Sequence, residues 1–232
     1  NARTIIDVGM NVANNTMEYA TWAKTVHGFE PTPMTYTLAE ANVELNQHVE
    51  LKGRYYNSQK ICTEHDPDHH DGWFKYPDKT FASLTMTADV HIYNMGLGDV
   101  TGSFTMEDHP NNVGHNCIIN EDRKQKTKYE TYEVEVRTLD SFEFDDVDAI
   151  KIDCEGYEYP ILKGSIQTIK THRPVVQLEI VPEQCKRFGY EPQDMFDLFH
   201  NQIGDYVTTD FQGNDLGQDW ERIKGVMDRF FV

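Results

Sequence analysis

The chain has 232 residues, 38% hydrophobic and 12% aromatic; against roughly 150 residues per domain this excludes a fibre, a peptide hormone or a solvated tail. A net charge of −18 with no local basic patch would repel a phosphate backbone, so no nucleic-acid partner is expected. No window approaches the roughly 18 to 20 apolar residues that span a bilayer, no signal-peptide core opens the chain, and Cys62, Cys117, Cys154 and Cys185 are scattered; a soluble protein of the reducing cytoplasm, without a transmembrane segment, is expected.

In chain order, Thr4 to Val8 is a short β-branched run closed by Gly9, and Asn14-Asn15-Thr16 offers helix caps before Tyr19, Trp22 and Ala23, which share one helical face. Val26 to Phe29 predicts a second strand, stopped at Glu30-Pro31, and Leu38, Ala41, Val43 and Leu45 a second helix. Further strands are predicted at Val90 to Tyr93, Ala149 to Ile152 and Val175 to Ile180, with a helix from about Pro160 to Thr171 between the last two. This alternation predicts an α/β fold with a parallel, doubly wound sheet, in a single domain over residues 1–232.

Two stretches interrupt the pattern. About 40 residues separate the second helix from the third strand, against an ordinary connection of about 2 to 6, so an insertion is expected at about 47–88. It carries His65, Asp66, Asp68, His69, His70 and Asp71 beside Trp73, Phe74 and Tyr76. His65 and His69 are spaced as on one helical face, but Pro67 between them opposes a regular helix, so a solvated loop or lid is expected there and no metal site. The second interruption, Gly98 to Leu139, alternates as β-hairpins do in Thr101 to Met106 and Tyr132 to Arg137, around a polar loop at Asn111 to Asn116.

Two constellations carry chemistry. Asp7-Val8-Gly9-Met10-Asn11 stands at the first strand-to-helix turn, and Glu30 follows the second strand. A dinucleotide site would place glycines where Asn11 and Asn14 stand, so tight pyrophosphate packing is poorly supported. S-adenosylmethionine asks instead for a close glycine turn, polar groups for its amino-acid end and a carboxylate for its ribose, which Asp7, Gly9, Asn11 and Glu30 supply. The second constellation, Asp153-Cys154-Glu155-Gly156-Tyr157-Glu158, places three acids beyond the fourth strand, at the sheet edge where α/β folds bind ligands. Glu158 is also well placed simply to favour the start of the following helix.

Taken together, Asp7-Val8-Gly9-x-Asn11, Phe29-Glu30-Pro31-x-Pro33, Gly96-Leu97-Gly98-Asp99, Thr138-Leu139-Asp140, Ile150-Lys151-Ile152-Asp153-x-Glu155-Gly156-x-Glu158, Leu162-Lys163-Gly164 and Arg173-Pro174 resemble the FkbM-type methyltransferases, in the same order. The resemblance implies the class I, Rossmann-like fold with a mostly parallel seven-stranded sheet, here with an inserted segment and a β-hairpin addition. It also implies S-adenosylmethionine as cofactor and methylation of a hydroxyl oxygen on a sugar, glycan or related small molecule. Ala13 stands where many members have glycine, and the insertion after Asn46 is not typical.

On this resemblance, Asp7, Gly9 and Asn11 line the methionine part of the cofactor, Thr16 helps to cap the helix, and Glu30 holds the ribose. Met95, in Asn94-Met95-Gly96, lies on the adenine or packs in the core. Asp153 and Glu155 face the methyl donor and acceptor as base, orienting group or ligand of a divalent ion; a metal-free route is favoured, since two acids alone fall short of an oxygen-ligand set. His115 is a further candidate base. Two other classes compete: a nicotinamide-nucleotide-binding oxidoreductase, opposed by Asn11 and Asn14, and an inactive methyltransferase-like interaction module, opposed by retention of Asp7, Gly9, Glu30 and Asp153.

Overall fold

The computed structural model describes residues 2–46, 86–109, 116–119, 121–210, 212–220 and 228–232. The expected insertion, with its His/Asp cluster and aromatics, falls almost wholly outside these, and so does His115.

Five strands run parallel in one sheet: β1 (Thr4–Val8), β2 (Thr25–Phe29), β3 (Asp89–Tyr93), β8 (Val147–Ile152) and β9 (Val175–Glu179). Two antiparallel strands, β10 (Thr208–Thr209) and β11 (Asp228–Phe231), complete the order β10-β11-β9-β8-β1-β2-β3. β1 is central, and all five of its residues are buried, as a strand covered on both faces requires. Its alternate side chains feed two cores: Ile6 and Val8 enter the larger, with Ile150, Ile152, Leu178 and Phe199, while Ile5 enters the smaller, with Met10, Ala20, Val26 and Ala39.

α1 (Asn14–Tyr19) is shorter than the pattern Tyr19, Trp22, Ala23 predicts, and no side chain caps it. Thr16 is not a cap: its hydroxyl donates to Asp7 Oδ2 (2.6 Å), because a residue already inside the helix faces back onto β1. α2 (Pro33–Asn46) buries Thr35, Ala39 and Val43. The single helix expected from about Pro160 to Thr171 is two, α4 (Glu158–Lys163) and α5 (Ile166–His172). They part at Gly164, where an added Cβ would lie 1.9 Å from the Gly98 carbonyl oxygen; a neighbouring backbone occupies the space a side chain would need.

That backbone belongs to a second sheet of four strands, ordered β4-β7-β5-β6: β4 (Gly96–Leu97), β5 (Gly102–Glu107), β6 (Cys117–Ile118) and β7 (Thr131–Arg137). The expected hairpin pairing is present, with β5 and β7 antiparallel from Gly102↔Val136 to Glu107↔Thr131. α3 (Glu121–Lys124) lies between β6 and β7. Leu97, Met106, Ile118, Val134 and Val136 bury against the larger core, so this sheet packs over one end of the main one. Between β9 and β10 lie α6 (Pro182–Cys185) and α7 (Pro192–Asp197), the latter with a capping box formed by its N-cap Glu191 and Asp194.

Candidate functional site

The strand order reverses between β1 and β8, and there the C-terminal strand ends open a crevice. Its geometry begins at Gly9, held at φ +76°, where an added Cβ would meet the Asp153 carbonyl oxygen at 2.0 Å. Only glycine lets the two strand ends approach so closely, and the Asp153 N–H donates to the Val8 carbonyl across the gap (3.2 Å). The turn after Gly9 is bound to β2: the N–H groups of Gly9 and Met10 both donate to the Phe29 carbonyl (3.1 and 3.0 Å). Asn11 and Ala13 follow in the left-handed region, at φ 52° and 68°, so Ala13 tolerates the conformation for which glycine is the usual residue.

Glu30 closes the turn from the β2 side. Its Oε2 accepts the Asn11 N–H (3.2 Å) and its Oε1 the Thr32 N–H (2.8 Å), while Asn94 Nδ2 donates to the Glu30 carbonyl (3.0 Å). Burial raises the Glu30 carboxyl above its ordinary value, and the Thr32 and Asn11 N–H groups oppose that rise.

Beyond β8 the chain turns through Glu155, left-handed at φ 54°. Asp153 is 40% exposed, and its Oδ2 lies 3.3 Å from Lys151 Nζ. Lys151 also faces Asp7 Oδ1 at 3.6 Å, a spacing long for a hydrogen bond but short enough for the buried cation to answer two acids. Desolvation alone would lower the Lys151 ammonium; Asp7 and Asp153 outweigh it, and the pKa is raised. Glu155 accepts a hydrogen bond from Gln184 Nε2. Glu158 is nearly inaccessible; its Oε1 accepts the N–H groups of Cys154 (2.8 Å) and Gly156 (3.2 Å), and the Tyr190 hydroxyl stands 3.3 Å from Oε2. Burial pushes its carboxyl up to about 7. Glu158 is thus more than a helix-start charge: it clamps the loop that presents Asp153 and Glu155.

These elements bound one pocket. Gly9, Asn11, Glu30, Asp153 and Glu155 line it together. Asp7 and Thr16 do not; both are fully buried behind the turn, bonded to each other. Met95 is not among the lining residues either, although its neighbours Gly96 and Leu97 are; Met95 packs against the larger core. The apolar part of the lining is one that local motifs do not announce: Met106 of β5, Cys117 and Ile118 of β6, and Tyr157 and Ile161 around α4. Among the described lining residues there are three carboxylates and no lysine, arginine or histidine. A lining that joins three carboxylates to apolar side chains suits a cationic, partly apolar guest and a second, uncharged one beside it.

No curated protein matches the chain. In a search of solved structures it is similar to the crystal structure of Methyltransferase FkbM from Methylobacillus flagellatus KT, with a TM-score of 0.52 and 16% identity, over 100% of this chain and 44% of that one. The chain therefore spans less than half the length of that neighbour, and the likeness concerns the fold. The model of the Methyltransferase FkbM domain matches residues 7–207, a span that runs from the end of β1 through the Asp153 loop and most of the larger core, and the chain belongs to the FkbM methyltransferase family.

Proposed function

We propose that the chain is an S-adenosylmethionine-dependent O-methyltransferase whose acceptor is a hydroxyl on a sugar, glycan or related small molecule. The observation that carries this reading is the convergence of Gly9, Asn11, Glu30, Asp153 and Glu155 on one acidic pocket at the β1/β8 switch point. The donor set fits the cofactor: Glu30 keeps lone pairs for ribose hydroxyls beyond the two N–H groups it already accepts. Gly9 brings no side chain to the turn, and the surrounding carboxylates favour a sulfonium. Bound there, S-adenosylmethionine supplies an electrophilic methyl group.

The protein's own contribution is position and proton transfer. Holding an acceptor oxygen in line at about 3 to 3.5 Å makes a bimolecular displacement effectively unimolecular. Asp153 is the group best placed to accept the hydroxyl proton: it is partly exposed at the strand end, and Lys151 fixes its orientation from behind. The Gln184 bond steers Glu155, which serves as the second orienting carboxylate. The apolar wall of Met106, Ile118 and Tyr157 excludes water from that oxygen.

Calorimetry with S-adenosylhomocysteine and NAD side by side tests the cofactor, with binding expected for the first alone. Transfer of radiolabelled methyl to a panel of neutral glycans and small alcohols then tests the acceptor class; label appearing only on amines or carboxylates would sink the hydroxyl assignment.

A further inference from the structure

We propose that Glu107, His109 and Cys117 form a binding site for a zinc-class divalent cation at the open end of the β5–β6 ladder, beside the pocket. Glu107 and Cys117 are register partners across that ladder, so their side chains leave the same face. His109 follows two residues after Glu107. Its backbone N–H donates to Asn116 Oδ1 (2.7 Å), its ring packs on Tyr129 with centroids 4.4 Å apart, and its Nε2 lies 3.3 Å from Glu107 Oε2. One ligand atom from each of the three residues falls within 4.8 Å of the others.

The spacing matches a small tetrahedral ion. With metal–nitrogen and metal–oxygen bonds of about 2.0 to 2.1 Å, tetrahedral ligands stand about 3.3 Å apart, the separation of the imidazole and carboxylate atoms here; a Cys sulfur at about 2.3 Å completes a third corner. The donor set of thiolate, imidazole and carboxylate selects a borderline ion such as Zn²⁺ over Mg²⁺ or Ca²⁺, which prefer oxygen alone. Arg123 bonds Glu107 Oε2, the oxygen that faces His109, and the Thr127 hydroxyl donates to Oε1; such partners hold a ligating carboxylate, and each oxygen has a second lone pair to give the ion. On binding, the Cys117 thiol gives its proton to solvent, and the thiolate and Glu107 together balance the dication while Arg123 keeps its contact. Cys117 also lines the pocket, so the ion ties the end of β6 to β5 and steadies that part of the wall. Asp153 and Glu155 take no part in it.

The test uses the full chain, reduced, stripped with chelator and titrated with Co²⁺. A thiolate-to-cobalt charge-transfer band and tetrahedral visible bands are expected, both displaced by Zn²⁺. Cys117→Ser should abolish the charge-transfer band, and His109→Ala should weaken cobalt binding by at least about 10-fold, since losing a ligand costs no less than losing an outer partner; His109→Ala, at a partly exposed position, decides the matter if the cysteine variant fails to fold. Asp153→Asn should leave the bands unchanged. Absence of a thiolate band in the parent protein, its persistence in Cys117→Ser, or unaltered affinity in His109→Ala would each overturn the site.

Discussion

On one side of the crevice Gly9, Glu30 and Asp153 are fixed by hydrogen bonds to neighbouring backbone, at distances of 2.8 to 3.2 Å. Elsewhere in the lining, Leu97, Met106 and Ile118 sit on paired strands with buried apolar side chains, none with a polar group to aim. On the proposed function, the difference separates two tasks. A directional network recognises a cofactor whose polar groups never vary, so a shift of a few tenths of an ångström there has a chemical cost. An apolar wall selects by shape, and one methylene alters it by only about 1 kcal/mol.

If the division holds, the largest effect belongs to the polar side. Asp153→Asn should lower kcat about 10²- to 10⁴-fold while leaving S-adenosylhomocysteine affinity within about threefold, because the contribution arises in the transition state. A folded variant turning over at the parental rate would remove Asp153 from the mechanism. Glu30→Ala comes next. Loss of hydrogen bonds to a charged acceptor, worth about 1.5 to 3 kcal/mol, should weaken S-adenosylhomocysteine about 10- to 100-fold by calorimetry. Glu30→Gln should retain part of that affinity, since its amide oxygen still accepts an N–H. The apolar side should answer differently: Met106→Ala should raise the acceptor KM about 5- to 30-fold, for about 1 to 2 kcal/mol of lost contact, with cofactor affinity unchanged. Equal losses for both ligands would merge the two walls into one site.

The smallest effect is a slope. The Glu158 carboxyl is higher in the folded protein, at about 7, than its ordinary 4.5, so the folded state holds the proton more tightly. Its contribution to stability is present in full below about pH 4.5 and is lost as pH rises toward about 7. Urea midpoints measured across that window should fall with pH more steeply in the parent than in Glu158→Gln, which cannot ionise. His27 works in the opposite sense: burial lowers its imidazole to about 4, so its contribution is present above about pH 6.5 and fades toward pH 4. The Glu158→Gln comparison cancels that background.

The polar wall is legible in the sequence because its residues sit in short motifs at strand ends: Asp7 to Asn11, Glu30, and Asp153 to Glu158 all lie where short β-branched or apolar runs stop. What position in a motif does not reveal is which side chains face outward. Asp7 is as prominent in its motif as Gly9, yet it turns inward to Thr16 and Lys151, because alternate residues of a doubly covered strand leave on opposite faces. The apolar wall shows in the sequence only as hairpins, since nothing local in Thr101 to Met106 tells what it will cover. β11 is not legible for another reason. Asp228-Arg229-Phe230-Phe231 begins with two charges, but Arg229 is wholly buried with its guanidinium 4.7 Å from the Trp220 ring, a tertiary pairing that no period carries. The split between α4 and α5 likewise depends on a distant partner, Gly98.

That partner bears on selectivity. At Gly164 the second sheet touches α4 backbone to backbone, and the seam is pinned nearby by Asp140, whose N–H donates to the Gly164 carbonyl (3.0 Å) and whose carboxylate accepts the Gln167 and Thr168 N–H groups. Lys163 and Asp99 pair across it. The gap between the polar floor and the apolar wall is therefore a built-in gauge, set by main-chain atoms that cannot swap rotamers. Substitutions on the wall can reshape what the gauge admits, but a methyl group at Gly164 would pry it open for every guest at once.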